Sequence, residues 1–193
     1  MKVAIIKYNA GNIRSVSFAL ERLGVHPVIT DDFSVIRNAD RVIFPGVGEA
    51  STTMNYLKSK GLDTLICSLS QPVLGICLGM QLMCRHSEEG DTPCLGIFDL
   101  PVKKFEVDLK IPHMGWNSLV DTKGPLITPD LEESYVYFVH SYYIPLASET
   151  ISSSNYGIAF SAAIQKDNFF ATQFHPEKSG TVGEKILKNF LEF

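Results

Sequence analysis

Apolar and polar positions change their period along this chain. Val3 to Lys7 is a short strand-like run, after which Asn12 caps a helix. Ile13, Val16, Leu20 and Leu23 fall on one face of that helix, and Gly24 stops it. Val25 to Thr30 and Arg41 to Phe44 read as the second and third strands. Met54 and Leu57 mark a short helix ending near Gly61. Pro72 to Ile76 is the next strand, and Leu78 to Arg85 the helix after it. Strands alternating with helices in this way predict a parallel sheet covered on both faces.

The second half is richer in strands. The run Ser134 to Tyr143 is aromatic and β-branched. Ala162 to Gln165 and Phe169 to Phe174 flank Lys166-Asp167-Asn168, a hairpin signal. A last helix is predicted from about Val182, with Thr181 and Glu184 as a capping box and Val182, Ile186, Leu187 and Phe190 facing the core. No repeat or linker divides the chain, so residues 1–193 are read as a single domain. The predicted class is α/β: an open, mostly parallel central sheet flanked by helices, with an antiparallel, strand-rich C-terminal half.

Composition narrows the function. The 193 residues are 45% hydrophobic and 20% charged, as in a globular protein with a sizeable core. A net charge of −4 with scattered Lys and Arg argues against a nucleic-acid binder. The apolar start is too short for a signal peptide, and no run approaches the roughly 18 residues of a membrane span. Without an export signal, Cys67, Cys77, Cys84 and Cys94 are expected as reduced thiols in a cytoplasmic protein. Cys84, His86 and Cys94 match no common zinc spacing, so no metal or cofactor is expected.

One cysteine stands apart. Gly75-Ile76-Cys77-Leu78-Gly79 lies where a strand meets a helix, and open α/β sheets bind ligands outside the carboxyl ends of their strands. The flanking glycines permit a tight turn, the mechanical logic of a G-x-S-x-G nucleophile elbow. The positive end of the following helix favours a thiolate. The turn amides are free to hold an oxyanion. A core thiol is the alternative, but it needs no glycines at its sides.

A cysteine nucleophile needs a base and a group that orients it. Gln173-Phe174-His175-Pro176-Glu177 supplies both: His175 and Glu177 sit two apart and point the same way in an extended chain. A carboxylate at that spacing fixes the imidazole tautomer and stabilises imidazolium. His26 lies before Pro27 in a strand, His86 is in a polar loop, and His113 and His140 have no nearby carboxylate, so these four are read as binding, interface or packing residues.

Together the elbow, extended to Met80-Gln81, and His175-Pro176-Glu177 resemble the class I (triad) glutamine amidotransferases. Pro45-Gly46-Val47-Gly48, Pro112-His113-Met114-Gly115-Trp116-Asn117 and His175-Pro176-Glu177-Lys178-Ser179 resemble, within that family, the glutaminase subunits of imidazole glycerol phosphate synthases. The resemblance implies that Cys77 attacks the side-chain amide of L-glutamine, with His175 as base and Glu177 behind it. It implies an oxyanion site at Leu78 and Gly46-Val47-Gly48. It gives Gln81, Glu89, His140, Ser141 and Tyr142 as glutamine-binding candidates. Ammonia would pass to a (β/α)₈-barrel cyclase subunit, the partner in a heterodimer, to form imidazole glycerol phosphate and an aminoimidazole carboxamide ribotide in histidine biosynthesis. Asn12, Trp116, Tyr137, the Pro112 to Asn117 loop and Lys178 would face that partner, although Trp116 also reads as a core tryptophan.

Two segments depart from the family's usual pattern. Lys7 and Asn9 stand where many relatives have aspartate and glycine, although Gly11-Asn12 is kept. Cys84-Arg85-His86 replaces an aromatic-acidic run. Three alternatives stay open: a paralogous glutaminase serving another synthase (sugar amidine formation, for example), a free-standing cysteine hydrolase, and a non-catalytic docking subunit.

Overall fold

The computed structural model describes residues 1–8 and 12–193. Asn9, Ala10 and Gly11 of the first loop, including the Gly11 expected to preserve its geometry, lie outside the described residues. The central sheet has seven strands. They are β1 (Val3–Ile6), β2 (Val28–Thr30), β3 (Arg41–Gly46), β4 (Val73–Cys77), β11 (Thr150–Asn155), β12 (Ala159–Lys166) and β13 (Phe169–Thr172). Their spatial order is β11-β12-β13-β4-β3-β1-β2. The five strands from β13 to β2 run parallel, and β12 and β11 add an antiparallel edge.

Alternation along each strand feeds two cores. Val3 and Ile5 of β1 join Leu74 and Ile76 of β4 beneath α1 (Ile13–Arg22) and α6 (Gly180–Glu192). Ala4, Ile6, Val42 and Phe44 face the other way. They pack against α2 (Phe33–Arg37), α3 (Ala50–Lys60), α4 (Leu62–Cys67) and α5 (Leu78–Met83). Burying Ile, Leu, Val and Phe side chains on both faces is what a parallel sheet requires.

Two smaller sheets lie outside this frame. β5 (His86–Ser87), β6 (Thr92–Pro93), β7 (Pro101–Lys104) and β10 (Tyr142–Tyr143) form one, in the order β10-β7-β5-β6. β8 (His113–Ser118) and β9 (Tyr135–His140) form an antiparallel pair, with Trp116 opposite Tyr137 and His113 opposite His140.

Several expectations are corrected. The run Ser134 to Tyr143 is two strands, not one: it breaks at Ser141, and its halves join different sheets. Pro112 to Asn117 is mostly strand β8 rather than loop. The second strand begins only at Val28, because Pro27 has no N–H for a ladder. Asp32 caps the unpredicted helix α2, accepting from the amides of Ser34 and Val35. The Thr181–Glu184 box does not form: α6 starts at Gly180, and Glu184 instead pairs with Arg22 at 2.9 Å. Asn12 stands at the N-cap of α1, but its side chain makes no capping bond.

Candidate active site

Cys77 ends β4 and precedes α5 with φ 53° and ψ −108°. A non-glycine residue at positive φ is strained, and such strain persists only where the surroundings enforce it. Here close backbone packing does so. A Cβ on Gly46 would collide with the Gly79 nitrogen, and one on Gly75 would lie 2.9 Å from Met83 Sδ. The β3–β4 register sets Gly46 directly beside Cys77. Gly48 differs: nothing crowds it, but its φ of 117° suits glycine. Leu78 opens α5, so its amide belongs to a first turn that has no partners within the helix.

His175 is wholly buried. Its N–H donates to the Tyr137 carbonyl at 2.9 Å, and its carbonyl accepts from Ser179 Oγ at 2.7 Å. Ser179 Oγ in turn accepts from the Tyr137 amide at 3.0 Å, which fastens the segment to β9. His175 Nδ1 meets Glu177 Oε1 at 2.7 Å. The pair does not arise from strand alternation, because β13 stops at Thr172 and Pro176–Lys178 is a 3₁₀ turn.

His175 Nε2 is buried and, among the described residues, has no hydrogen-bond partner of good geometry. It and Cys77 line the same cavity. Burial alone would lower the ring's pKa, but hydrogen bonding and charge from Cys77 and Glu177 outweigh it and hold His175 at about 10.

The cavity measures about 370 Å³. Val47, Gly48 and Leu78 border it, as do Gln81, Glu89, His140, Ser141, Tyr142 and Lys178. Gly46 lies behind the border in β3, and Glu177 lies behind His175. Glu89 Oε2 accepts from the Ala50 amide at 2.9 Å at the start of α3. Burial pushes the Glu89 carboxyl up. Glu49, beside it, is held at about 2 by hydrogen bonds from Thr52 and Ser51. A carboxylate at Glu89 is well placed to meet an ammonium group.

His140 is held in one state by its neighbours. Its Nδ1 donates to the Tyr142 carbonyl at 2.7 Å, because a carbonyl only accepts. Nε2 must then accept from His113 Nδ1 at 3.0 Å. His113 Nε2 in turn accepts from Asn117 Nδ2 at 3.3 Å. Both rings are neutral: burial holds His140 at about 3 and His113 at about 4.

The expected partner-facing residues divide. Trp116 is 56% exposed, so it is not a core tryptophan. Its ring meets Tyr137 edge-on at 6.1 Å, and Lys178 Nζ lies 5.9 Å from the Tyr137 ring centre. Asn12 is not on that surface. It is buried and donates through Nδ2 to Glu177 Oε1. Its contact spans 165 residues of sequence and has no local signal.

Two further residues at the site went unassigned in the sequence. Tyr8 is buried, donates its hydroxyl to the Pro45 carbonyl, and is kept protonated by burial and by charge at Cys77. Gln173, wholly buried, points Nε2 at Cys77 Sγ from 3.8 Å. A glutamine two positions before His175 was the only local hint.

A broader groove of about 450 Å³ contains Cys67 and Cys94 but no imidazole. Burial pushes the Cys67 thiol up and the Cys94 thiol to about 11, so neither is poised for attack. Among the described residues no group of three His, Cys, Asp or Glu side chains is placed to hold a metal ion, and no helix is long and apolar enough to cross a membrane.

A cysteine on a strained strand–helix turn, backed by a buried His–Glu pair in a mostly parallel sheet, defines the triad class of glutamine-hydrolysing proteins. The chain belongs to the class-I glutamine amidotransferase family, which it matches over residues 5–193. It is 61% identical to imidazole glycerol phosphate synthase subunit HisH of Bacteroides thetaiotaomicron over 195 aligned positions, covering all of both chains. The corresponding subunits of Bacteroides fragilis and Pectobacterium atrosepticum are 62% and 49% identical, again over both full lengths. A crystal structure of a glutamine amidotransferase superposes with a TM-score of 0.77 at 19% identity, covering 98% of this chain and 97% of that one. The structure of PurLQS from Thermotoga maritima gives 0.73 at 15% identity, covering 98% and 97%. These two share the fold.

Proposed function

We propose that Cys77, His175 and Glu177 hydrolyse L-glutamine, and that the ammonia is handed to a (β/α)₈-barrel cyclase subunit. The chain is a glutamine amidotransferase. Its relatives across the full length are imidazole glycerol phosphate synthase subunits, so it is the glutaminase component of that synthase and serves histidine biosynthesis. The observation that carries the mechanism is the buried, unpartnered His175 Nε2, facing the Cys77 cavity while Nδ1 is fixed on Glu177.

The thiol proton moves to His175 Nε2, and the sulfur attacks the substrate's side-chain carbonyl carbon. The oxyanion forms beside Leu78 and the Gly46-Val47-Gly48 turn, where amides stabilise it. His175 returns the proton to the departing nitrogen, releasing ammonia and leaving a glutamyl thioester. Water, deprotonated by the same ring, then frees glutamate and the thiol. Gln81, Glu89, His140, Ser141 and Tyr142 hold the glutamine backbone and side chain. Free ammonia would take up a proton in water, so a sealed junction with the cyclase suits the chemistry. The exposed Trp116, with Tyr137 opposite it and Lys178 on the cavity's border, supports a docking surface there. A cytoplasmic location fits such a pathway.

Glutamate release tests this reading. The wild-type chain should turn over strongly only with the cyclase and its nucleotide ligand present, and Cys77→Ala should not turn over at all. Full-rate hydrolysis by the isolated chain would favour a free-standing hydrolase. Unchanged release by Cys77→Ala would remove the mechanism.

A further inference from the structure

We infer that the Gln173 side-chain amide is a catalytic hydrogen-bond donor to the Cys77 sulfur, holding it as a thiolate while His175 carries the proton. The inference rests on Cys77 being the nucleophile, and it concerns a residue two positions before the His–Glu pair.

Two amides with fixed orientations lead to it. Gln81 Nε2 lies 3.0 Å from the Tyr142 carbonyl and 3.0 Å from Gln173 Oε1. A backbone carbonyl only accepts, so Gln81 must present its nitrogen there. That nitrogen has two hydrogens, and the second goes to Gln173. Gln173 therefore turns its oxygen to Gln81 and its nitrogen to Cys77 Sγ at 3.8 Å. Cys77 Sγ is the only hydrogen-bond partner of that nitrogen among the described residues.

A wholly buried amide is costly unless both its ends are satisfied. The cost is explained if the sulfur is an anion for part of the cycle, since hydrogen bonds to charged acceptors are the stronger kind. The thiol's other neighbour works against the anion. As S–H, Cys77 donates to the Val139 carbonyl at 3.9 Å. Once the proton has moved to His175 Nε2, that carbonyl faces a sulfur lone pair and repels it. Gln173 is then a donor that offsets this repulsion. Gln173 does not border the cavity, so it acts on the sulfur rather than on glutamine.

Alkylation of Cys77 by iodoacetamide, followed on its peptide by mass spectrometry, reads the thiolate without glutamine turnover. In full-length Gln173→Met the pH midpoint of alkylation should rise by about one unit. In Gln173→Glu, which keeps the acceptor for Gln81 but puts a carboxylate against the sulfur, it should rise further. With the cyclase present, Gln173→Met should lose about tenfold in kcat, with KM for glutamine within about twofold of wild type. A further check does not need a Gln173 variant to fold: in the wild-type chain the Gln173 amide proton resonance should titrate with the Cys77 alkylation midpoint, and in Cys77→Ala it should not. An unmoved midpoint in folded Gln173→Met, or an amide resonance insensitive to Cys77 ionisation, overturns the inference. A normally titrating Cys77 in a chain that releases no glutamate would count instead against the glutaminase reading.

Discussion

Asn12 and Glu177 are joined by a side-chain hydrogen bond on the carboxylate oxygen that also meets His175 Nδ1. Asn12 Nδ2 lies 3.4 Å from that ring nitrogen as well. The amide thus fixes where the carboxylate sits and, through it, how the imidazole is turned toward Cys77. Among the described residues Glu177 Oε2 has no hydrogen-bond partner, so Oε1 is the oxygen whose position Asn12 controls.

Asn12→Ala should therefore lower kcat for glutamine hydrolysis by about tenfold and leave KM nearly unchanged, because a residue acting only on orientation does not touch substrate. Asn12→Asp should do more damage, since it sets a second carboxylate against Glu177. Steady-state glutamate release in the presence of the cyclase separates the two. Equal activity in Asn12→Asp and wild type would show that Asn12 does not control the carboxylate.

The elbow makes a second prediction. A Cβ on Gly79 would collide with the Phe44 carbonyl oxygen, a backbone atom that no rotamer change moves. Gly79→Ala should cost more than about 3 kcal/mol of stability and give little folded protein. Gly48→Ala meets no atom within 4 Å and is opposed only by its φ of 117°, so it should fold with a loss of about 1–3 kcal/mol. Denaturant midpoints of the two variants check the order.

Much of this arrangement was legible where the signal is local. Glycines at 75 and 79 mark a turn because close backbone approach admits nothing larger, and the sequence shows them directly. Helix α3 ends at Gly61, whose φ of 69° is the left-handed cap expected of it. The strand break at Ser141 was not legible, since aromatic residues continue on both sides and only the competition of two sheets for them decides it. Nor could the sequence tell that Glu184 would leave its capping box for Arg22, or that Asn12 would reach Glu177. Both are contacts across most of the chain, made once the sheet has brought α1 beside α6 and the turn before it.

Acid should weaken the fold through His113 and His140. Both are held neutral, at about 4 and about 3, against an ordinary value near 6.5. Above pH 6.5 neither state takes up a proton at these rings, and their contribution is fully present. As pH falls below 6.5 the unfolded chain binds protons that the folded pair refuses, so stability drops down to about pH 4 and then 3. His175 runs the opposite way: its folded value of about 10 gives stability that is complete below 6.5 and lost as pH rises through 10. Tm should therefore fall on both sides of neutrality. His113→Phe, which keeps the stack on Tyr156 at 4.1 Å but removes one titrating ring, should flatten the acid limb only. An acid limb as steep as wild type would show that other groups cause it.

Trp116 carries the last prediction, and Asn12 is its control. Met114 and Trp116 alternate to the same side of β8 and are 61% and 56% exposed, a costly display of apolar surface unless something covers it. Tyr137 stands opposite Trp116 in register, and Lys178, over the Tyr137 ring, borders the active-site cavity. A cyclase seated on this strip would stand beside the Cys77 cavity, where the proposed ammonia transfer needs it. An exposed tryptophan at the centre of such a surface is the kind of side chain that dominates binding energy. Trp116→Ala should weaken cyclase binding by about 2 kcal/mol, roughly 30-fold in Kd. At saturating cyclase its glutamine turnover should approach that of wild type, because Trp116 does not border the cavity. Asn12→Ala should behave in reverse, with an ordinary Kd and a slow reaction. Isothermal titration with the cyclase, set beside glutamate release at saturation, distinguishes these patterns. Unchanged affinity in Trp116→Ala would move the docking surface elsewhere, and weakened affinity in Asn12→Ala would return Asn12 to the interface.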